Sequence, residues 1–295
     1  MKKRKSFLAR LFGWLLGIVL TVVVLVAGVC IFVNKKYGIN LFQTYSEVKL
    51  LSKAVDEEKL CTNRFTAEDM SSAQTEANSK MSNLITGNAE DGYEIGQHLT
   101  AASMLSAELR LSDKQMAAII HEIINDQEGG FSVDLGGESA TVEILQLKFE
   151  NIDNATGSAD VNIVLKIDIS FMQDKMNAFP LSLFKKYVPK TLYISSTNTV
   201  TKNEGSFNYT VTSKSMSMNS LTAEQTADLV KTLNIVAQVG SVSEVNETIG
   251  KTFINLLIGD ENNTNGLTYS LKDFGVKDYS FYTQDNIGYY VMKNV

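Results

Sequence analysis

Proline occurs only twice in 295 residues, at positions 180 and 189, and cysteine only twice, at 30 and 61. The first scarcity excludes a Pro-rich stalk. With no long Gly/Ser linker either, a folded body is expected to begin close to whatever precedes it. The second excludes a disulfide framework, so the fold must rest on a hydrophobic core, and a Cys61–Cys61 link between two copies is the bridge that stays open. Histidine is equally rare. His98 has no neighbouring partner, and His121-Glu122 begins like HExxH but carries Asn125 where the second imidazole belongs. No G-x-S-x-G elbow, Walker A loop or dinucleotide fingerprint is present. Asp260-Glu261-Asn262-Asn263 starts like a calcium loop but reaches Leu271 at the twelfth position instead of glutamate. Asp273 and Asp278 flank a glycine and read as turn chemistry, and Cys61 has no adjacent base. The sequence therefore nominates no catalytic residue, no metal ligand and no cofactor site.

Basic charge is also thin once the N-terminus is passed. Apart from Lys2, Lys3, Arg4, Lys5, Arg10, Lys35 and Lys36, the chain has 20 Lys+Arg against 33 Asp+Glu, a formal charge of −13. That balance opposes nonspecific nucleic-acid binding and direct adhesion to anionic lipid, both of which want a positive surface.

What the chain does have is one long apolar run. Phe7 to Val33 contains no charge from Leu11 onward. Those 23 residues form about 35 Å of helix, enough to cross a hydrocarbon layer of about 30 Å. Five basic residues before it and two after it predict an N-terminus in the cytoplasm and a C-terminal body outside. The run is longer than a signal-peptide h-region and no small-x-small cleavage site follows, so a retained single-pass anchor is expected rather than a cleaved export signal. Ala27-Gly28-Val29-Cys30 has the outline of a lipid-attachment site, but Val29 suits it poorly and apolar residues continue beyond the cysteine. The expected organisation is a basic tail over 1–6, a transmembrane helix over 7–33, a membrane-proximal helical region over 34–110 and an α+β domain over 111–295.

Helical spacing of Leu41, Tyr45, Val48, Leu51 and Val55 predicts a helix from Leu41 to Leu60. Thr66 and Asp69 frame a capping box for a polar helix, and Ser112 with Gln115 frame one for an apolar helix ending at Asn125. Gly87 to Gly96 is a break, and Ile95, Leu99, Met104, Leu105 and Leu109 suggest a further helical stretch. From Phe131 the period changes toward two. Strands are expected over Thr141–Phe149, Val161–Ser170, Thr191–Thr201 and Ser206–Met218, antiparallel neighbours joined by turn-rich connectors. Thr222 and Gln225 open another helix, with Ala227, Val230 and Leu233 facing the core. A helix over Thr248–Leu257 and strands over Leu267–Asp273 and Tyr279–Met292 follow, the last bent or broken at Asp285-Asn286. Four triplets, at Asn154, Asn208, Asn246 and Asn262, match the glycosylation pattern. The fold class is α+β, with a long twisted antiparallel sheet packed on helices.

The basic N-terminus with a single span, Leu111-Ser112-Asp113-Lys114-Gln115-Met116-Ala117-Ala118-Ile119-Ile120 before strands, and Ser220-Leu221-Thr222-Ala223-Glu224-Gln225 after a long strand together resemble bacterial membrane-anchored envelope proteins with tubular or curved-sheet lipid-binding domains. The resemblance leaves 61–98 and 248–257 uncovered and transfers no site residue. Two functions are weighed. One is a non-enzymatic, membrane-tethered protein of the cell envelope acting in interaction or assembly. The other is binding or transfer of lipid or another apolar ligand in a groove lined by Ile163, Leu165, Ile167, Met216, Met218 and Phe253. The expected partners are the bilayer, through 7–33, and an envelope protein or a lipid ligand, with no nucleic acid.

Overall fold

The computed structural model describes residues 41–125, 132–134, 139–174, 177, 185–203, 205, 207–237 and 241–295. The apolar run at 7–33, with Cys30, lies outside them, and no helix among the described residues is long and apolar enough to cross a membrane. The architecture is α+β, antiparallel sheets packed with helices.

In chain order the elements are α1 (Leu41–Leu51), α2 (Glu57–Leu60), α3 (Ala67–Lys80), β1 (Ile85–Asn88), β2 (Gly92–Ile95), β3 (Leu109–Ser112) and α4 (Asp113–Asn125). Next come β4 (Ser132–Asp134), β5 (Ser139–Asp153), β6 (Ser158–Asp168), α5 (Ser170–Asp174), β7 (Thr191–Lys202) and β8 (Tyr209–Met218). The chain ends with α6 (Ala223–Ala237), α7 (Val242–Leu257), α8 (Leu267–Ser270), β9 (Asp278–Gln284) and β10 (Ile287–Lys293). The large sheet has the order β4-β5-β6-β7-β8, a smaller one β3-β10-β9, and β1 and β2 form a hairpin.

The helix starts follow the sequence closely. The backbone N–H of Thr66 donates to Asp69 at 2.8 Å, that of Ser112 to Gln115 Oε1 at 2.8 Å, and that of Thr222 to Gln225 Oε1 at 3.0 Å. Each closes the side-chain return bond that leaves fewer orphan donors in the first turn. The same box, Ser241 with Glu244, starts α7 well before the expected Thr248. The polar helix α3 does not stand in water: it buries Met70, Ala73 and Ala77 against α4. Two alanines on that face allow the close approach.

Several elements differ from the sequence reading. The helix expected over Leu41–Leu60 stops at Leu51, whose carbonyl accepts from Asn219 Nδ2 at 2.6 Å, a tertiary bond replacing the next helical one. No helix forms between Ile95 and Leu109. There the amide of Leu105 donates to Phe274 O, and that of Ser106 to Lys80 O, so distant backbone takes the bonds a helix would have used. Gly87 and Gly92, at φ +81° and +91°, turn the expected break into the β1–β2 hairpin. The strand expected over Leu267–Asp273 is instead α8 and a 3-10 turn at Lys272–Phe274, with buried Thr268 capping Leu257 O at 2.8 Å. Asp285 and Asn286, at φ +53° and +62°, are not a bend in one strand but the two-residue turn of the β9–β10 hairpin. Positive φ at both positions defines the turn that matches strand twist. On α6 the buried residues are Thr226, Leu229 and Val230, whereas Ala227 is exposed; the Leu233 side chain lies outside the description.

The core lies on one face of the large sheet. Val161, Ile163, Leu165 and Ile167 alternate along β6 as the period-two pattern predicts and are 0% exposed. α4 covers this face at β5, and α6 and α7 cover it at β7 and β8. A single buried cluster runs from Val48 to Met292. Residue 110 lies inside β3, which pairs with β10 at the other end of the chain.

Candidate functional site

The six residues nominated for an apolar groove come together, but as filled core. Ile163, Leu165, Ile167 and Met218 are 0% exposed, and Met216 and Phe253 are 2% exposed. None of them lines any of the three surface clefts described below.

The back of the large sheet is polar. Gln146 donates to Asn162 Oδ1 at 2.8 Å, and Asn162 donates in turn to Ser195 and Thr197, a ladder across β5, β6 and β7. The segment 52–64 straps across part of this face. Cys61 and Leu60 pack on Leu145, Val164 and Tyr193, and Glu57 accepts from the Tyr193 hydroxyl at 2.6 Å while pairing with Lys166 at 2.9 Å and Arg64 at 3.0 Å. The Tyr193 bond and then Lys166 lower the Glu57 carboxyl to about 2. A depressed folded-state pKa gives stability that is present above the unfolded value near 4.3 and is lost as pH falls through the folded one. Acid titration of the intact chain should therefore show a loss of stability between pH 4.3 and 2 that is smaller in Glu57→Gln. An unchanged slope in that variant means the strap is not held by this charge. Burial pushes the Cys61 thiol up and leaves it 6% exposed, so a link to a second copy requires lifting the strap.

The largest of three clefts among the described residues, about 660 Å³, lies between α3, the β3–α4 junction and the β9–β10 hairpin. Pairing of Ser112 with Tyr289 and of Tyr289 with Tyr282 sets the register that puts Arg110, Tyr282, Tyr289 and Ile287 on one face of the small sheet. The Arg110 guanidinium is 5.0 Å from the Tyr282 ring centroid and donates to Glu108 at 2.8 Å, which holds its charge firmly. Ile287 is 44% exposed, one of three exposed large apolar side chains among the described residues. On the wall, Asp113 is 7% exposed and its carboxyl is pushed up by burial, against the opposing Asn63 amide, the Lys114 and Phe149 backbone and the Lys148 charge. Lys148, Glu76 and Asp69 complete a charged rim.

A second cleft, about 580 Å³, holds Tyr209, Asn255, Lys251 and Asp260. The Tyr209 hydroxyl donates to Asn255, and burial raises its pKa. Here the calcium-like loop finds a different use. The Asp260 carboxylate accepts from the amides of Asn262 at 2.7 Å and Asn263 at 2.9 Å, folding the loop by itself. Among the described residues no group of His, Cys, Asp or Glu is placed to hold a metal. His98 pairs with Glu94 at the surface, and His121 accepts from Asn125 at 2.9 Å. A third cleft, about 420 Å³, lies where α1 ends.

Of the glycosylation triplets, Asn246 is excluded in the folded chain. It is 0% exposed, donates to Thr197 O and Ser213 Oγ at 2.9 Å each, and accepts from Ser196 at 2.6 Å. The face carrying Arg110, Tyr282, Tyr289 and Ile287 was missed from sequence. Its signal was present: reading Asp285-Asn286 as a two-residue turn puts Tyr282 opposite Tyr289.

No family model, no curated protein and no solved structure matches the chain.

Proposed function

We propose that the chain is a non-enzymatic protein of the cell envelope, anchored by residues 7–33 with its basic end in the cytoplasm, whose outer α+β body binds another envelope protein through the α3–α4–hairpin cleft. The observation that carries this reading is the composition of that cleft. Exposed Ile287 lines it with Tyr289 and with Arg110, which lies over the Tyr282 ring, inside a charged rim. Aromatic and arginine anchors ringed by polar groups are the residue types that dominate protein interfaces. The alternative, lipid held in a groove, loses its support where the six nominated side chains are packed core and the two larger described clefts are polar.

A photo-crosslinking residue at Ile287 of the full chain, in its own envelope, should give a discrete protein adduct, whereas one at exposed Thr212 on β8 should not. Tyr289→Ala and Arg110→Ala should each weaken that association at least tenfold, about 1.4 kcal/mol or more, without changing the melting of the body. Adducts to lipid alone, or a lipid retained stoichiometrically by the full chain in native mass spectrometry and released only on unfolding, would return the alternative.

A further inference from the structure

The body carries a formal −13, yet the described residues that line one of its clefts include three lysines and no carboxylate. Lys53, just past the end of α1, faces Lys186 and Lys190 across it, with Thr191 and Gln173 supplying neutral polar groups. Lys185 stands beside them, its ammonium donating to Asn177 Oδ1 at 2.8 Å. Two carboxylates adjoin its lining: Glu57, tied through Tyr193 and met by Lys166 and Arg64, and Asp168, which pairs with Thr191 across β6 and β7 and accepts from the Ser170 amide at 2.8 Å. A helix C-terminus accounts for Lys53, because a cation there offsets the partial negative charge of the last carbonyls. It does not account for Lys186, whose ammonium lies 4.9 Å from the Tyr187 ring centroid, or for Lys190, both more than a hundred residues further along the chain. Three exposed lysines around one concavity make its potential locally positive, which favours an anion there.

We infer that this cleft docks onto the anionic phospholipid headgroups of the bilayer that holds the chain, an inference that rests on residues 7–33 being a membrane anchor. Seven residues separate Val33 from α1 and span at most about 25 Å, and α1 adds about 16 Å, so the lysines stay within reach of the membrane surface. Ammonium groups bind phosphate as compact point charges, and each lysine near an anionic surface changes the docked-to-free ratio roughly fivefold. The acidic remainder of the body does not cancel this. Charges more than about 8 Å from the contact are screened at physiological salt. Repulsion elsewhere and attraction here leave one face able to approach the lipid, which fixes the orientation in which the body presents its protein-binding cleft.

The test uses the full chain in lipid nanodiscs and reads the rate of amine acylation at each lysine by mass spectrometry. In discs containing phosphatidylglycerol, Lys53, Lys186 and Lys190 should react at least fivefold more slowly than in discs of phosphatidylcholine alone. The protection should vanish at high salt, and Lys231 and Lys277, exposed elsewhere on the body, should not change. Lys186→Gln should reduce the protection of Lys53 and Lys190 about fivefold, and Lys186→Arg should retain it. Equal rates on the two kinds of disc, in a chain that stays in the discs, would overturn the inference alone. Protection on phosphatidylcholine discs by free inorganic phosphate, as large as that given by phosphatidylglycerol, would also overturn it and make the cleft a site for a soluble anion. A chain that elutes free of the discs would overturn the anchor and this inference with it.

Discussion

Replacing Leu165 by alanine is expected to lower the unfolding free energy by about 2–5 kcal/mol, the cost of a full-size cavity in a close-packed interior. Leu165 is 0% exposed in the middle strand of the large sheet, level with Ile144 on β5 and Ile194 on β7, which are 2% and 0% exposed. Those neighbours are fixed by the ladder on both sides and cannot collapse into the space. The result separates the two functional readings. A residue lining a ligand groove loses affinity when truncated and costs the empty protein little, because its outer side faced no packed partner. A core residue costs stability and leaves ligand content unchanged. The sole tryptophan, Trp14, lies in the apolar N-terminal run and does not report on the body. The measurement is therefore urea unfolding of the full chain followed by tyrosine near-ultraviolet dichroism. A cost below about 0.5 kcal/mol, the range of surface changes, together with altered lipid content, would mean that β6 lines a groove after all.

The same residues show what was legible in the sequence. The alternation of Val161 through Ile167 predicts one buried face, and three capping boxes at Thr66, Ser112 and Thr222 predict three helix starts, because both signals are local and carry their own geometry. Local patterns do not say what lies opposite. Period two reads the same for a groove wall and for a filled core, so the six nominated residues were found as a set while their surroundings were not. Asn246 makes the point from the other side. It sits in a glycosylation triplet, a pattern suited to an exposed loop, yet α7 places it over β7 with every polar atom of its amide bonded. One turn on, Gly250 lies so close to Asn198 that a Cβ there would fall 2.5 Å from its side chain. Contacts of this kind depend on register between elements far apart in sequence. The lysine cleft was hidden for the same reason: a net charge averages over the body, and Lys53 meets Lys186 and Lys190 only after the chain has folded.

Phe281→Ala is expected to be as damaging, about 3–5 kcal/mol, and to act on two sheets at once. Phe281 is 1% exposed on β9, between Tyr290 on β10 at 5.5 Å and Phe149 on β5 at 5.0 Å, ring centre to ring centre. Tyr279 stacks on Tyr290 at 5.8 Å, and Tyr290 shares a 2.7 Å hydrogen bond with Thr268 on α8. Backbone contact reinforces the seam. The Phe281 amide donates to Gly157 O at 3.2 Å, and the Asn154 side chain takes both the N–H and the C=O of Thr283, covering the open edge of β9. At Gly288 an added Cβ would fall 2.8 Å from the Phe149 backbone oxygen, so β10 can lie this close to β5 only with glycine there. If the rings join the small sheet to the large one, the two unfold together, and Phe281→Ala shifts a single transition seen alike by tyrosine and far-ultraviolet dichroism. The cycle with Phe149→Ala should give a coupling of about 0.5–1.5 kcal/mol beyond lost area, the worth of an edge-to-face ring pair. Two separated transitions in the variant would show the hairpin melting on its own. It would take Tyr282, Ile287 and Tyr289 with it, and partner binding should then fail at a lower denaturant concentration than the loss of the large sheet.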